Sequence, residues 1–276
     1  MCKFVGNKYK YLRYFIYLQY DGTAYHGWQS QPNATSVQET IEQKLSLLLQ
    51  RELFIVGAGR TDAGVHARLM VAHVEVDPSP ALPSDGKGVD SNLSSNSIDC
   101  IALTKRLNGI LPKDISIIKI VPVKDDAHAR FSPISRTYRY YVTTHKNPFN
   151  QYAYRIFWDL DIDLMNEAAN KLFDYIDFTS FSRLHTDVKT NNCRIMEARW
   201  TETAAGEYVF VIKADRFLRN MVRAVVGTLM LVGRHRMTVD DFCRIIEGKD
   251  RCKAGESAPA NALFLEDIEY PEDLFI

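Results

Sequence analysis

The chain has 276 residues, 46% hydrophobic and 11% aromatic, with 34 Lys and Arg against 34 Asp and Glu. That is enough apolar material for one large domain or two ordinary ones, and it excludes a disordered or fibrous chain. No apolar run reaches the roughly 18 residues of a membrane span or forms a signal-peptide core. The five cysteines (Cys2, Cys100, Cys193, Cys243, Cys252) are odd in number and too scattered for a disulfide framework or zinc site, so a soluble, cytoplasmic protein is expected.

Along the chain, Arg13–Asp21 alternates in the manner of a strand. Ser36-Val-Gln-Glu39 is a capping box opening a helix with Val37, Ile41, Leu45 and Leu48 on its apolar face. Leu53–Ala58 and Leu69–Val76 read as strands around the loop G57-A-G-R-T-D-A-G-V-H-A67. Asp77–Ser97 is rich in Pro, Ser, Gly, Asn and Asp and reads as a mobile insertion. Cys100, Leu103, Leu107 and Leu111 mark a helix, and Ile115–Val123 a strand. The order β-α-β-β-α-β then repeats: strand Thr137–Thr144, helix Asp163–Ile176, strands Cys193–Thr201 and Tyr208–Ala214, helix Phe217–Gly233, strand Leu263–Glu269. A short helix capped by Thr238 and Asp241 precedes the last strand. The fold class expected is α+β, with two ferredoxin-like halves, residues 1–130 and 131–276. Their antiparallel sheets join into one extended sheet with helices on one face.

Three stretches have the composition of a site. The loop around Asp62 lacks the third glycine of a dinucleotide fingerprint and the lysine of a P-loop, and only His66 stands near as a second metal ligand. Asp62 is then either a turn former or a catalytic acid. In S135-R-T-Y-R-Y-Y-V142, Tyr138 and Tyr140 share one strand face and Arg139 takes the other, a pattern of stacking rings and cations that suits nucleic acid and equally an ordinary half-buried strand. In R216-F-L-R-N-M-V-R-A-V-V-G-T-L-M-L-V-G233, Arg216, Arg219 and Arg223 fall at i, i+3 and i+7 of the expected helix, and Arg223 lies deep enough to need a carboxylate partner. The neutral total hides segregated charge. Residues 127–158 and 216–239 each hold five Lys or Arg and no acid, whereas 237–276 holds ten acids against four bases.

GRTDAGVHA (Gly59–Ala67), HARFSPISRTYRYYV (His128–Val142), DFTSF (Asp177–Phe181) and FLRNMVRAVVGTLMLVG (Phe217–Gly233) together resemble the TruA family of tRNA pseudouridine synthases, over about Arg13 to Tyr270. The chain departs from the family pattern in the length of Asp77–Ser97 and in N261-A-L-F-L265. The resemblance implies a cofactor-free isomerase acting on uridines 38, 39 or 40 of the tRNA anticodon arm, working as a homodimer. It implies Asp62 as the catalytic nucleophile at C1′ or, alternatively, the group that removes the C2′ proton, Arg223 as its ion-pair partner, and Tyr138 as the ring stacked on the target base and a candidate acceptor of the C5 proton. Arg60, His66, Arg139, Arg216 and Arg219 are the remaining substrate contacts it implies, with Leu263 a pocket wall. A catalytically silent tRNA-binding module on the same fold is the alternative, and the presence together of Asp62, Tyr138 and Arg223 argues against it.

Overall fold

The computed structural model of the protein describes residues 11–77, 98–183 and 190–276; most of the Asp77–Ser97 insertion lies outside them. In chain order the elements are β1 (Leu12–Tyr20), α1 (Val37–Leu49), β2 (Ile55–Gly57), β3 (His66–Val76), α2 (Cys100–Ile110) and β4 (Ile115–Val123). There follow β5 (Ser135–Thr143), β6 (Tyr154–Arg155), α3 (Ile162–Asn170), β7 (Ile195–Ala204), β8 (Glu207–Ala214), α4 (Met221–Gly233), α5 (Val239–Glu247) and β9 (Leu263–Glu269).

The nine strands form one sheet in the order β4-β1-β3-β9-β5-β8-β7, with β2 beside β3 and β6 beside β5. β4, β1, β3 and β2 are antiparallel neighbours, and so are β9, β5, β8 and β7. Leaving β6 aside, each set therefore places its fourth, first, third and second strand side by side. The sets meet where β3 and β9 run parallel, through His66↔Phe264 and Ala67↔Leu265 alone. β2 takes the other end of the same β3 edge, pairing with Ala72–Val74. Buried side chains from both sets form one continuous cluster.

Local sequence explains most of these elements. Ser36 caps α1 by accepting from the Glu39 N–H at 3.2 Å, and Val37, Ile41 and Leu45 are buried. The Glu39 carboxylate accepts from Gln43 at 3.4 Å, so only half of the expected capping box forms. Thr238 and Asp241 make the full reciprocal box at the start of α5. Both faces of β1 are covered, because Tyr270 and Phe275 fold over Phe15 with ring centroids 5.0 and 6.3 Å away.

Three expectations change. The helix expected from Phe217 begins at Met221, since Asn220 before it sits at φ 66°, a left-handed angle that asparagine tolerates. Arg216 and Arg219 thus lie in the approach to α4, and the three arginines do not form a helical stripe. The helix expected over Asp163–Ile176 ends at Asn170 and tightens into a 3₁₀ turn over Lys171–Asp174. β3 starts three residues early, at His66, where β9 supplies the hydrogen-bonding partner.

Candidate active site

The chain crosses from β2 to β3 through a loop that carries Asp62, and the interior holds this loop on both sides. The Thr61 hydroxyl and the Tyr20 phenol lie 2.8 Å apart. The Trp28 N–H donates to the Thr61 carbonyl at 3.2 Å, and the Val65 N–H closes a turn on the Asp62 carbonyl at 3.2 Å. Gly64 makes this turn at φ 77°. Gly27, at φ 94°, stands where a Cβ would lie 2.5 Å from the Thr61 oxygen, so a glycine is required for the two loops to touch. Gly57 and Gly59 do not have positive φ; the missing Cβ of Gly57 makes room for the Trp28 indole. The Asp62 carboxylate emerges partly buried from a backbone with little freedom.

Arg223, in the first turn of α4, faces it. Its Nη1 is 3.4 Å from Asp62 Oδ2, and its Nε donates to the Ala258 carbonyl at 2.7 Å. The Ala258 N–H returns a bond to the Arg223 carbonyl at 3.0 Å. Arg219 approaches the other carboxylate oxygen, with Nε 3.8 Å from Oδ1, and remains half exposed. Pairs this open orient the acid and place positive charge around it more than they stabilise the fold. Tyr138 is buried on β5, edge-on to Phe217 with centroids 5.1 Å apart. Burial pushes its phenol up to about 12, with Arg136 opposing and Asp62 adding to the shift.

The other expected site residues are more dispersed. Arg60 is exposed, two residues before Asp62, and makes no hydrogen bond or ion pair among the described residues. Arg139 points to the opposite sheet face from Tyr138 and pairs with Glu266 at 3.6 Å, a carboxylate it shares with Arg68 at 3.4 Å. Arg216 lies near Cys193, where its charge opposes the burial that pushes the thiol up to about 12. Leu263 is buried opposite Tyr140 in the β5–β9 register. His66 is only 1% exposed, with the Gly22 N–H donating to Nδ1 at 3.0 Å and Nε2 at 3.0 Å from the Asn261 carbonyl. Its ring stacks on Phe264 at 4.6 Å, and burial holds its pKa below the usual imidazole value. In place of the substrate contact expected of it, His66 fastens the joint between β3 and β9.

A conserved sequence pattern described as tRNA pseudouridine synthase matches residues 16–132 and 168–271. The chain belongs to the tRNA pseudouridine synthase family. Proteins named tRNA pseudouridine synthase A are similar over nearly the full length. The one from Bacteroides thetaiotaomicron is 56% identical, covering 95% of this chain and 92% of its own. That from Bacteroides fragilis is also 56% identical, covering 95% and 98%, and that from Aliivibrio salmonicida is 34% identical, covering 95% and 94%. Within this pseudouridine synthase pattern lie both Asp62 and Arg223; Tyr138 falls in the unmatched stretch between its two parts. Sequence reasoning missed the Ala258 carbonyl that aims Arg223, and no local signal pointed to it. It also read Arg136 only as part of a cationic segment lining an RNA groove, although its place two residues before Tyr138 put both side chains on one strand face.

Among the described residues no helix is long and apolar enough to cross a membrane.

Proposed function

We propose that the protein isomerises uridine to pseudouridine at one or more of positions 38, 39 and 40 in the anticodon arm of tRNA, with Asp62 as the catalytic residue. The observation that carries this reading is the carboxylate of Asp62, fixed on a clamped loop and flanked by Arg223 and Arg219 beside the ring of Tyr138. In the reaction the C1′–N1 bond breaks, the uracil turns, and C1′ bonds to C5. The C5 proton leaves and N1 gains one, so nothing is oxidised and no atom is lost. Asp62 works on the ribose as a carboxylate, either attacking C1′, in the way a carboxylate serves a retaining glycosidase, or taking the C2′ proton. Arg223 keeps that carboxylate aimed. Tyr138 offers its ring to the displaced base and its hydroxyl to the C5 region, while Leu263 closes the pocket.

The target base must leave its stack, at a cost of a few kcal/mol that is smallest in a loop. Arg60, Arg216, Arg219 and Arg139 hold the phosphate backbone. The like strand order of the two sets supports two ferredoxin-like halves meeting near residue 130, with their helices on one face. The reading extends to a cytoplasmic homodimer with tRNA lying across both subunits and no cofactor. Release of tritium from C5-labelled uridine in an anticodon stem-loop, with the base still attached, tests it. Base loss would identify a nucleosidase, and binding without tritium release a silent RNA-binding module.

A further inference from the structure

Arg136 is a partly buried cation with no carboxylate within ion-pair distance among the described residues. Its guanidinium instead reaches three backbone carbonyls: Nη1 donates to Asp215 at 2.7 Å, and Nη2 to Ala58 at 3.0 Å and Arg130 at 2.7 Å. These carbonyls belong to three separate stretches of chain. Ala58, itself buried and bonded to the Val71 carbonyl at 2.8 Å, begins the loop that carries Asp62. Asp215 directly follows β8 and opens the segment leading to Arg219 and Arg223, and its carboxylate accepts from the N–H groups of Arg216 and Arg194 at 2.7 and 2.8 Å. Arg130 lies in the connection between the two strand sets.

We propose that Arg136 is a positioning residue for the reaction: it ties the Asp62 loop to the segment that presents Arg219 and Arg223, and places a fixed positive charge beside Tyr138. The proposal rests on the uridine-isomerase reading above. Only a planar fork with several donors reaches three carbonyls from one side chain; a lysine ammonium on its flexible stem does not reproduce that geometry. Carbonyl acceptors carry no formal charge to cancel that of the guanidinium, and its field reaches the neighbouring phenol. There it opposes burial and Asp62, which both favour the neutral hydroxyl. Because Asp62 and Arg223 come from opposite strand sets, a shift of about 1 Å between those segments would misalign the carboxylate, a displacement of the size that costs about a hundredfold in rate.

The test compares Arg136→Lys with the parent, and Arg136→Gln stands in if the lysine variant fails to unfold cooperatively. The expected result is a drop of about thirtyfold or more in the single-turnover rate at saturating tRNA, with the dissociation constant within about twofold. Amide exchange over residues 59–65 and 216–220 is expected to rise about tenfold, while α1 and β4 keep their protection. A rate within about threefold of the parent with unchanged exchange overturns the proposal. So does weakened binding with the rate kept, which would make Arg136 a phosphate contact. Failure of both variants to fold cooperatively would make it a residue of the fold alone and overturn the proposal too. If the parent itself releases no tritium, the isomerase reading fails, and the exchange comparison still decides whether Arg136 ties the two segments.

Discussion

Arg223 faces Asp62 with a single arm of its guanidinium, Nη1 3.4 Å from Oδ2, because its Nε is held by the carbonyl of Ala258 at 2.7 Å. Arg223→Lys keeps the charge and loses the Nε anchor, so the ammonium is free to swing away. The saturated rate is expected to fall about thirtyfold, with tRNA affinity and its salt dependence near those of the parent. Arg139→Ala should instead weaken binding and lower the salt slope by about one. Binding titrations at several salt concentrations, paired with single-turnover rates, separate the two. Weaker binding by Arg223→Lys at an unchanged saturated rate would recast Arg223 as a phosphate contact.

Asp62→Asn and Asp62→Ala are expected to turn over below about 1% of the parent, a loss of at least about 2.7 kcal/mol in barrier stabilisation. Both should bind tRNA almost as tightly, since Arg60 and the other cations that hold phosphate are untouched. Turnover above that level in the alanine variant removes Asp62 from the chemistry.

Tyr138 is buried and its phenol pushed up to about 12, so at neutral pH it acts as a neutral hydroxyl. Tyr138→Phe keeps the ring and should retain affinity while slowing the reaction; Tyr138→Leu removes the stacking face and should be worse. Across pH 6–9 the two aromatic enzymes should have rate profiles of the same shape, because the hydroxyl does not titrate there. A limb present only in the parent would contradict this, and full activity in the leucine variant would shift the role to another ring.

His73 gives the fold an acid limit. Burial first, then His128 and Arg13, depress its pKa to about 4, with Glu75 opposing. Its Nδ1 accepts from the Ala129 N–H at 3.1 Å, which requires an unprotonated nitrogen there. A depressed folded-state pKa means that the unfolded chain binds the proton more readily. The contribution is therefore complete above pH 6.5 and is lost as pH falls toward 4, on the order of 3 kcal/mol in all. Urea unfolding at pH 7 and pH 4.5 should show His73→Gln losing less stability between the two than the parent. An equal loss would place the acid limit elsewhere.

Elements bounded by local signals were legible in the sequence: β4 and β9 have the bounds expected of them, and α5 the cap read from Thr238 and Asp241. Where a distant partner sets the boundary, the sequence carried no sign. β3 reaches back to His66 because β9 lies beside it, and β6 exists only by pairing with the end of β5. In the candidate site, the depth of Arg223 in an apolar segment announced that it needs a partner. The placing of Asp62 opposite it, 161 residues away, is a property of the sheet. Arg136 was legible only as one cation of a basic segment, because a backbone carbonyl leaves no mark in the sequence and three of them are its partners.

The two-pair seam between β3 and β9 also bears on the order in which the molecule is made. β9 starts at Leu263 and follows the other eight strands in the chain, so the strand that fastens to His66 and Ala67 leaves the ribosome after all of them. By then the first four strands have had time to pair with one another, since chains emerge at about 5–20 residues per second. What β9 adds is the alignment of the first strand set with β5, β8 and β7, and with it the approach of Arg223 to a carboxylate synthesised long before. A chain stopped short of Leu263 would hold Asp62 on a formed loop and Arg223 on a formed helix, without the seam that brings the sheets edge to edge.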